Sequence, residues 1–220
     1  MLDIGGGTGN YAQTLQARGW AVVVVDAEIA MAERSIAKLG AGRQVIGDAV
    51  ALPFVGAGFD AALMIHAIYL VGDRAVACRE ARRVARDGPF VLVEPVKENA
   101  PLFVQEYFGL EPSGGSRPGV ADMEELLRES GFARVEHARL VYADAADGSL
   151  YALHTNALRL AGPAYLRNTT FWYQLEEEVR RRGLEALAGA LRSGELDRRV
   201  REHFSMAAER GHETVFAAWP

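Results

Sequence analysis

Four glycines occupy five positions near the start of the chain, after an apolar stretch and an acid. The residues concerned are Asp3, Gly5, Gly6, Gly7 and Gly9. Glycine has no Cβ, so its backbone can approach a ligand closely and can adopt a positive φ. The residues that follow are typical of a helix, whose first N–H groups have no partner within the helix. The pattern therefore predicts a buried strand that turns onto a ligand and then enters a helix.

The spacing of the glycines separates two classes of ligand-binding turn. Dinucleotide-binding turns have the pattern G-x-G-x-x-G, and here the third glycine of that pattern is replaced by Asn10. The spacing that fits is Gly5-x-Gly7-x-Gly9. A tight loop without any ligand remains the alternative, and the sequence further along the chain decides between them.

Acidic residues follow two further predicted strands. Trp20–Val25 is an apolar, mostly β-branched run typical of a parallel strand buried on both faces, and Asp26 lies at its carboxyl end. Since doubly wound sheets bind ligands at that edge, we interpret Asp26 as an acceptor for two ribose hydroxyls. The alternative is an N-cap for a helix over 28–39. Gln44–Ala49 predicts a third strand that ends at Asp48, for which a turn role is the alternative.

The order of these motifs resembles that of the class I S-adenosyl-L-methionine (SAM) methyltransferases, in the small-molecule "type 11" group. The resemblance runs motif by motif from Leu2 to Glu94. Beyond the glycine turn and Asp26, it includes the pattern G-D-A-x-x-L-P-F over Gly47–Phe54 and Phe59-Asp60 before an apolar strand.

The resemblance implies that SAM is the cofactor. In that family the acid that matches Asp48 accepts from the adenine amino group, and the N–H at Ala49 faces the ring. The stretch from Ala27 to Met31 would border the adenosine, although Met31 equally suits an ordinary core position. The positions assigned to cofactor binding are Asp3, Gly5, Gly6, Gly7, Gly9, Asp26, Ala27, Met31, Asp48, Ala49 and His66.

Three residues near the predicted ends of strands four and five are candidates for catalysis. His66 ends the fourth strand, next to where the methyl donor would lie, and a neutral histidine can take a proton from a phenol or a similar acid. Tyr69 and Glu94 are the second and third candidates. If the acceptor is an amine or a thiolate, no base is required and His66 only positions the substrate. A structural role is the alternative for His66 and a polar strand terminus for Glu94.

The fold expected is α/β, a doubly wound, Rossmann-like sheet of seven strands, as the resemblance implies. Its last strand is predicted over His212–Ala218 and runs antiparallel between the fifth and sixth in the resembled family. The sequence from Ala143 to Gly211 is helical in composition and is predicted to be inserted between strands six and seven. We therefore expect a SAM-binding core over 1–142, a helical insertion over 143–211 and the last strand of the core over 212–220.

The insertion is interpreted as a cap over the substrate pocket, with a dimer surface, and hence a homodimer, as the alternative. Arg167 and Asn168 are candidates for contacts to the methyl acceptor, because buried polar groups need partners. Tyr107, in an aromatic stretch after the fifth strand, is a third candidate. Phe171 and Trp172 are expected to pack in a buried helix.

Composition limits the remaining function classes. The chain has 220 residues and a net charge of −5, which argues against binding nucleic acid through a basic surface. Its single cysteine, Cys78, excludes an internal disulfide and a cysteine-based metal cluster and is expected to be a buried thiol. Asp144, Asp147 and His154 lack a convincing metal-ligand spacing, so no metal is expected.

No apolar run approaches membrane-spanning length, and we expect a cytoplasmic protein without membrane contact.

The function expected from the resemblance is SN2 transfer of the sulfonium methyl of SAM to a small molecule. A SAM-binding protein without catalysis is the alternative. Only Met1–Ile4 precede the glycine turn, whereas the resembled family usually has one or more helices there, so we expect a late coding start or a trimmed chain. A nicotinamide-dependent oxidoreductase is disfavoured by Asn10 and by the paired acids Asp26 and Asp48.

Overall fold

The computed structural model describes residues 1–111, 117–143, 149–167 and 169–220, with the side chain of Thr170 left out. The chain divides into two compact units. The first unit comprises Met1–Glu94, Ala121–Ala138 and Val215–Pro220, and the second unit comprises Pro95–Val120 and Arg139–Thr214. Residues 95–120, which the sequence analysis assigned to the core, therefore group with the helical insertion. The cap or dimer role expected of that insertion stays a prediction.

Seven strands of the described chain form one sheet in the order β3-β2-β1-β4-β5-β7-β6. Their bounds are β1 (Leu2–Ile4), β2 (Val23–Asp26), β3 (Gln44–Ile46), β4 (Ala62–Ile65), β5 (Phe90–Glu94), β6 (Arg134–Leu140) and β7 (Glu213–Trp219). Strands β1 to β5 pair in parallel, with Asp3 opposite Val24 on one side and opposite Leu63 on the other. Because parallel strands end at the same edge, the residues that follow β1, β2, β3 and β4 are brought together there.

The last two strands reverse direction. The N–H of Ala133 donates to the carbonyl of Trp219, while the N–H of His212 donates to the carbonyl of Leu140, so β6 and β7 are antiparallel. Strand β7 lies between β5 and β6 and is antiparallel to both. The doubly wound, Rossmann-like sheet with an antiparallel last strand is confirmed.

The second predicted strand is shorter than expected. It begins at Val23 rather than at Trp20, because the N–H of Trp20 still donates to the carbonyl of Leu15 at the end of the preceding helix. Trp20 itself is exposed. The sequence pattern alone did not show that the helix-end contacts extend to Trp20 and delay the start of the strand.

Helices alternate with the strands in the first unit. They are α1 (Asn10–Ala17), α2 (Ile29–Leu39), α3 (Arg74–Val84) and α4 (Val120–Glu129), with a short 3₁₀ helix over Ile68–Leu70. Asp73 is the N-cap of α3, and its Oδ1 accepts from the N–H of Val76. Cys78 in α3 is fully buried, and burial raises the pKa of its thiol to about 12, so the expected buried thiol is found.

The second unit consists of short helices followed by two long ones. They are a 3₁₀ helix (Phe103–Phe108), α5 (Leu150–Leu153), α6 (Ala157–Leu160), α7 (Pro163–Leu166), α8 (Thr170–Tyr173), α9 (Glu177–Arg192) and α10 (Glu195–Arg210). Its core includes Leu102, Phe108, Leu153, Leu187 and Leu196. Phe171 and Trp172 are buried in the same cluster, as expected.

Residues 112–116, 144–148 and 168 lie outside the described residues, and Asp144, Asp147 and Asn168 are among them. Within the described part of the chain, no helix combines the length and apolar character required to cross a membrane.

Candidate active site

The glycine turn begins where β1 ends. Gly5, Gly7 and Gly9 have φ values of 68°, 55° and 75°, a region that residues with a Cβ rarely adopt. The N–H of Gly5 donates to the carbonyl of Val25, and Gly9 is the N-cap of α1. A Cβ placed on Gly7 would meet no atom within 4 Å. The turn is therefore anchored at its first glycine and open at its third residue, where a ligand can approach the backbone.

Asp26 is held against this turn at the end of β2. Its Oδ2 accepts from the N–H of Gly7 and its Oδ1 from the N–H of Glu28, each over 2.9 Å. The N-cap residue of α2 is Glu28, so the alternative of Asp26 as the helix N-cap is not what the structure shows. A carboxylate oxygen can accept more than one hydrogen bond, and the half-buried Asp26 therefore keeps capacity for ligand hydroxyls.

Asp3 is the buried acid of the site. It is 1% exposed, and its Oδ2 has no hydrogen-bond partner among the described residues. Burial, and then the nearby Asp26, raise the pKa of Asp3 to about 7. A Cβ on Gly6 would lie 2.6 Å from Oδ2 of Asp3, so the turn is packed directly on this carboxyl group. A cationic ligand at the turn would favour the charged form of Asp3.

Asp48 follows β3, the neighbour of β2 in the sheet. Its side chain is exposed, and its Oδ1 accepts from the N–H of Val50. Ala49 beside it is half-buried, Ala27 is exposed and Met31 is half-buried near the start of α2. The structure thus brings Asp26 and Asp48 to the ends of adjacent strands, as the sequence predicted, and their binding roles stay predictions.

His66 lies directly after β4 with a φ of 53°, one of two residues other than glycine with positive φ in the described chain. Its N–H donates to the carbonyl of Val93 in β5. Histidine tolerates this conformation better than most residues, yet it still carries strain, which is often found at functional sites.

Glu94 and Tyr69, the other catalytic candidates, differ in exposure. Glu94 is buried, and its Oε1 accepts from the N–H of Ile68 over 3.2 Å. Its carboxylate therefore fixes the backbone two residues after His66. Tyr69 is 48% exposed in the 3₁₀ helix that follows.

Two of the three candidates for acceptor contacts, Tyr107 and Arg167, are described and belong to the second unit. The hydroxyl of Tyr107 donates to Oε1 of Glu195 over 3.0 Å, and the guanidinium of Arg199 lies 5.3 Å from the ring centre. Arg167 is exposed, with its guanidinium 6.0 Å from the ring centre of Trp172. The expectation that Arg167 is buried is therefore wrong: Arg167 follows Leu166, the last residue of α7, and its side chain is exposed. Their roles toward a substrate stay predictions.

His154 is fully buried in the second unit and has two backbone partners. Its Nδ1 lies 2.7 Å from the carbonyl oxygen of Leu150, and its Nε2 lies 3.3 Å from the N–H of Val104. Since a carbonyl only accepts and an amide N–H only donates, the ring is neutral with its proton on Nδ1. Burial lowers the pKa of His154 well below its usual value. Within the described part of the chain, no group of three or more His, Cys, Asp or Glu is arranged to hold a metal ion.

Sequence reasoning missed polar side chains that support the site. Lys38 in α2 donates to Oγ1 of Thr8 over 3.0 Å and to Oδ1 of Asn10, across the end of the glycine turn. Glu80 and Arg83 in α3 bind the loop that follows Asp48. The sequence shows the Glu-x-x-Arg spacing of Glu80 and Arg83, but it does not show that their backbone partners lie about 28 residues earlier in the chain.

Comparisons with known proteins agree with this geometry. A methyltransferase domain family matches residues 2–93. A demethylmenaquinone methyltransferase of Roseiflexus castenholzii is 31% identical over 187 residues, which covers 72% of this chain and 75% of that protein. An uncharacterized protein of Mycobacterium tuberculosis is 32% identical over 139 residues, covering 60% of this chain, and the match spans 46% of the length of that relative.

Among solved structures, a protein of Anabaena variabilis described as a methyltransferase of an antibiotic biosynthesis pathway has the same fold. The TM-score is 0.81 at 21% identity, covering all of this chain and 89% of that one. The chain belongs to the class I SAM-dependent methyltransferases, in the type 11 group, and the cofactor of this family is SAM. The resemblance inferred from the motifs is confirmed.

Proposed function

We propose that this chain binds SAM at the carboxyl edge of its parallel strands and catalyses methyl transfer to a small-molecule acceptor. The observation that carries the proposal is the position of Asp26, whose two carboxylate oxygens accept from the N–H groups of Gly7 and Glu28. These two hydrogen bonds hold the carboxylate of Asp26 beside the glycine turn, where it can accept from the ribose hydroxyls.

The residues present fit the charge and shape of SAM. The buried Asp3, whose Oδ2 has no hydrogen-bond partner in the described part of the chain, suits a ligand that carries a sulfonium and an ammonium group. The open face of Gly7 leaves room for close backbone approach. The residues that would hold SAM are Asp3, Gly5, Gly6, Gly7, Gly9, Asp26, Ala27, Met31, Asp48, Ala49 and His66.

When bound, SAM supplies a methyl group already activated by its positive sulfur, for SN2 attack by a nucleophile. The protein's task is then to align the two reactants and to exclude water. Where the acceptor loses a proton, the imidazole of His66 receives it, because His66 lies at the end of β4 beside the proposed cofactor site. Glu94 supports this role as a positioning residue, since its carboxylate holds the backbone N–H of Ile68. The exposed Tyr69 is the second candidate for the base.

The acceptor class is inferred from the relatives. The Roseiflexus castenholzii protein is named for demethylmenaquinone, a small molecule, and a relative from Aspergillus sclerotiorum is named as an O-methyltransferase. For this chain we propose a small-molecule acceptor whose attacking atom is oxygen, nitrogen, carbon or sulfur.

Calorimetric titration of the protein with SAM tests the first half of the proposal, with NADH as the control ligand. We expect saturable binding of SAM and none of NADH. Folded protein that binds NADH but not SAM would overturn the proposal. The second half is tested by incubating the protein with SAM and panels of phenols, quinols, amines and thiols, and measuring the S-adenosylhomocysteine released. Tight SAM binding without turnover on any panel would favour a SAM-binding protein without catalysis.

A further inference from the structure

Helix α3 carries an ion pair that faces the loop after β3. Arg83 donates from Nε to Oε1 of Glu80 over 2.6 Å and from Nη2 to Oε2 over 2.7 Å, so the contact is bidentate. The side chains are 39% and 18% exposed, respectively. Hydrogen bonding between the two groups raises the pKa of Arg83 and lowers that of Glu80, and both therefore stay charged.

The same two side chains bind three backbone groups of that loop. Oε2 of Glu80 accepts from the N–H of Leu52 over 2.8 Å. Arg83 donates from Nη2 to the carbonyl of Leu52 over 3.0 Å and from Nη1 to the carbonyl of Phe54 over 2.7 Å. Guanidinium has a rigid fork of donors, which allows one side chain to hold a carboxylate and two carbonyls together.

The loop between β3 and these contacts contains Asp48, and beyond it Leu52 is buried and the ring of Phe54 packs against Phe59 with ring centres 5.0 Å apart. At its start, the N–H of Gly47 donates to the carbonyl of Asp26. Within it, the side chain and the carbonyl of Asp48 accept from the N–H groups of Val50 and Ala51, which form a tight turn. The turn is therefore fixed on one side by β2 and on the other by α3.

We propose that Glu80 and Arg83 act as a clamp that sets the position of Asp48 and thereby determines selectivity for the amino group of adenine. This inference rests on the proposed function, since it takes Asp48 as the acceptor for that amino group. Glu80 and Arg83 are positioning residues, because they contact each other and the backbone of the loop. Loss of the clamp removes three hydrogen bonds to the backbone of Leu52 and Phe54, and Asp48 then samples positions from which it no longer meets the base edge.

The first experiment measures the clamp without any ligand. Amide hydrogen exchange of the peptide covering Asp48–Ala57 is compared between wild type and Arg83→Gln. We expect exchange to become about 10-fold faster in this peptide, because two carbonyl contacts are lost and the carboxylate of Glu80 loses its partner. Arg128→Gln is the matched control, since Arg128 pairs with Glu124 over 2.8 Å in α4. Unchanged exchange in Arg83→Gln would overturn the clamp, whether or not SAM binds.

The second experiment measures selectivity by calorimetry. S-adenosylhomocysteine is compared with its analogue in which hydrogen replaces the exocyclic amino group of the purine. We expect wild type to favour the amino compound about 10-fold, as is typical of a hydrogen bond to a charged group. Arg83→Gln should lose most of this preference, Arg83→Lys and Glu80→Gln should lose part of it, and Arg128→Gln should keep it.

The outcomes separate the two proposals. A variant that binds both compounds more weakly but keeps the wild-type preference has only lost stability, and this result would overturn the role in selectivity. Wild-type protein that binds neither compound would overturn the proposed function and, with it, the adenine selectivity, while the exchange data would still decide the clamp. Arg83→Lys guards against a misfolded Arg83→Gln, because it keeps the charge and one donor group.

Discussion

The backbone N–H of Gly7 donates a hydrogen bond of 2.9 Å to Oδ2 of Asp26, which joins the glycine turn after β1 to the end of β2. Asp26, the proposed ribose acceptor, therefore also holds the backbone of the glycine turn. The carboxylate has a second backbone donor in Glu28, so its orientation is set before any ligand arrives.

Replacement of Asp26 by alanine should weaken SAM binding by roughly 100-fold, because ribose hydroxyls lose a charged acceptor and the turn loses its anchor. Asp26→Asn keeps one acceptor oxygen and should fall between wild type and Asp26→Ala. Calorimetry measures the three affinities. Asp87→Ala, which removes an acid that is 86% exposed, is the control for net charge. An affinity of Asp26→Ala equal to that of the control would remove Asp26 from the site.

Replacement of His66 by asparagine should lower turnover by roughly 100-fold or more if the acceptor must lose a proton, with SAM affinity little changed. Asparagine is the informative variant because it tolerates the φ of 53° at this position. His66→Ala should show the same loss of turnover together with a lower Tm from backbone strain. Turnover rates, SAM affinities and thermal melts are compared. Normal turnover in His66→Asn would exclude it as the base.

The raised pKa of Asp3 predicts that a site residue reduces the stability of the protein. Unfolded, the carboxyl ionises near its ordinary pKa of 3.8, whereas folded it holds its proton to about pH 7. Below pH 3.8 the buried Asp3 therefore does not lower the free energy of unfolding, and as the pH rises through 7 the free energy of unfolding falls. The loss above pH 7 amounts to at most about 4 kcal/mol, from a pKa difference of roughly three units.

Asp3→Asn should remove this loss, so urea denaturation at pH 8 should give a higher free energy of unfolding than wild type. The same variant should bind SAM more weakly, because the acid facing a cationic ligand is gone. Asp87→Asn should change neither quantity appreciably. Lower stability of Asp3→Asn at pH 8 would contradict the pKa argument.

Three histidine rings lie against one another in the second unit, with their planes tilted by 42° and 52°. The ring centres of His154 and His203 lie 4.8 Å apart and those of His203 and His212 lie 5.3 Å apart, with the ring of Phe103 against the first two. Burial, and then the neighbouring His212, lower the pKa of His203 from 6.5 to about 4. Other charged groups that act on these rings are Arg199, near His154, and Glu213, near His212.

Because the folded pKa of His203 is lowered, its contribution to stability is complete above pH 6.5 and falls as the pH drops from 6.5 to about 4. The size is about 3 kcal/mol for this ring. His203→Phe should flatten the pH dependence of the free energy of unfolding in that window. Phe103→Leu removes a neighbouring ring without a titratable group and should shift the curve by a similar amount at each pH. A His203→Phe curve parallel to wild type would contradict the prediction.

Two glycines in α9 should respond oppositely to alanine. A Cβ on Gly183 would lie 2.1 Å from the ring of the buried Phe108, whereas a Cβ on Gly189 meets only the end of Arg192 at 4.0 Å. Gly183→Ala should destabilise the protein by about 1–3 kcal/mol through overpacking. Gly189→Ala should stabilise it by about 0.5–1 kcal/mol through helix propensity. Thermal and urea unfolding measure both, and equal effects would contradict the packing at Phe108.

Local patterns in the sequence were sufficient to predict the glycine turn and the positions of the acids that follow β2 and β3. The spacing of Gly5, Gly7 and Gly9 and the acids after β2 and β3 are short-range features, and parallel strands must end at one edge. The β-branched run before Asp26 and the N-cap at Asp73 likewise depend on neighbours in the chain. For these reasons the placement of Asp26 at the end of β2 could be predicted, whereas the position of the last strand was implied only by the family resemblance.

Other features were decided by tertiary structure alone. Arg83 meets Leu52 and Phe54 only because α3 packs beside the loop after β3, and no local pattern encodes that approach. The group of His154, His203 and His212 joins residues from different helices and a strand end. Arg167 is exposed although the two residues nearest to it that are described on either side, Leu166 and Thr169, are buried, which its sequence context did not reveal. Residue type and spacing determined which groups can do chemistry, while long-range packing decided which backbone and side-chain partners those groups meet.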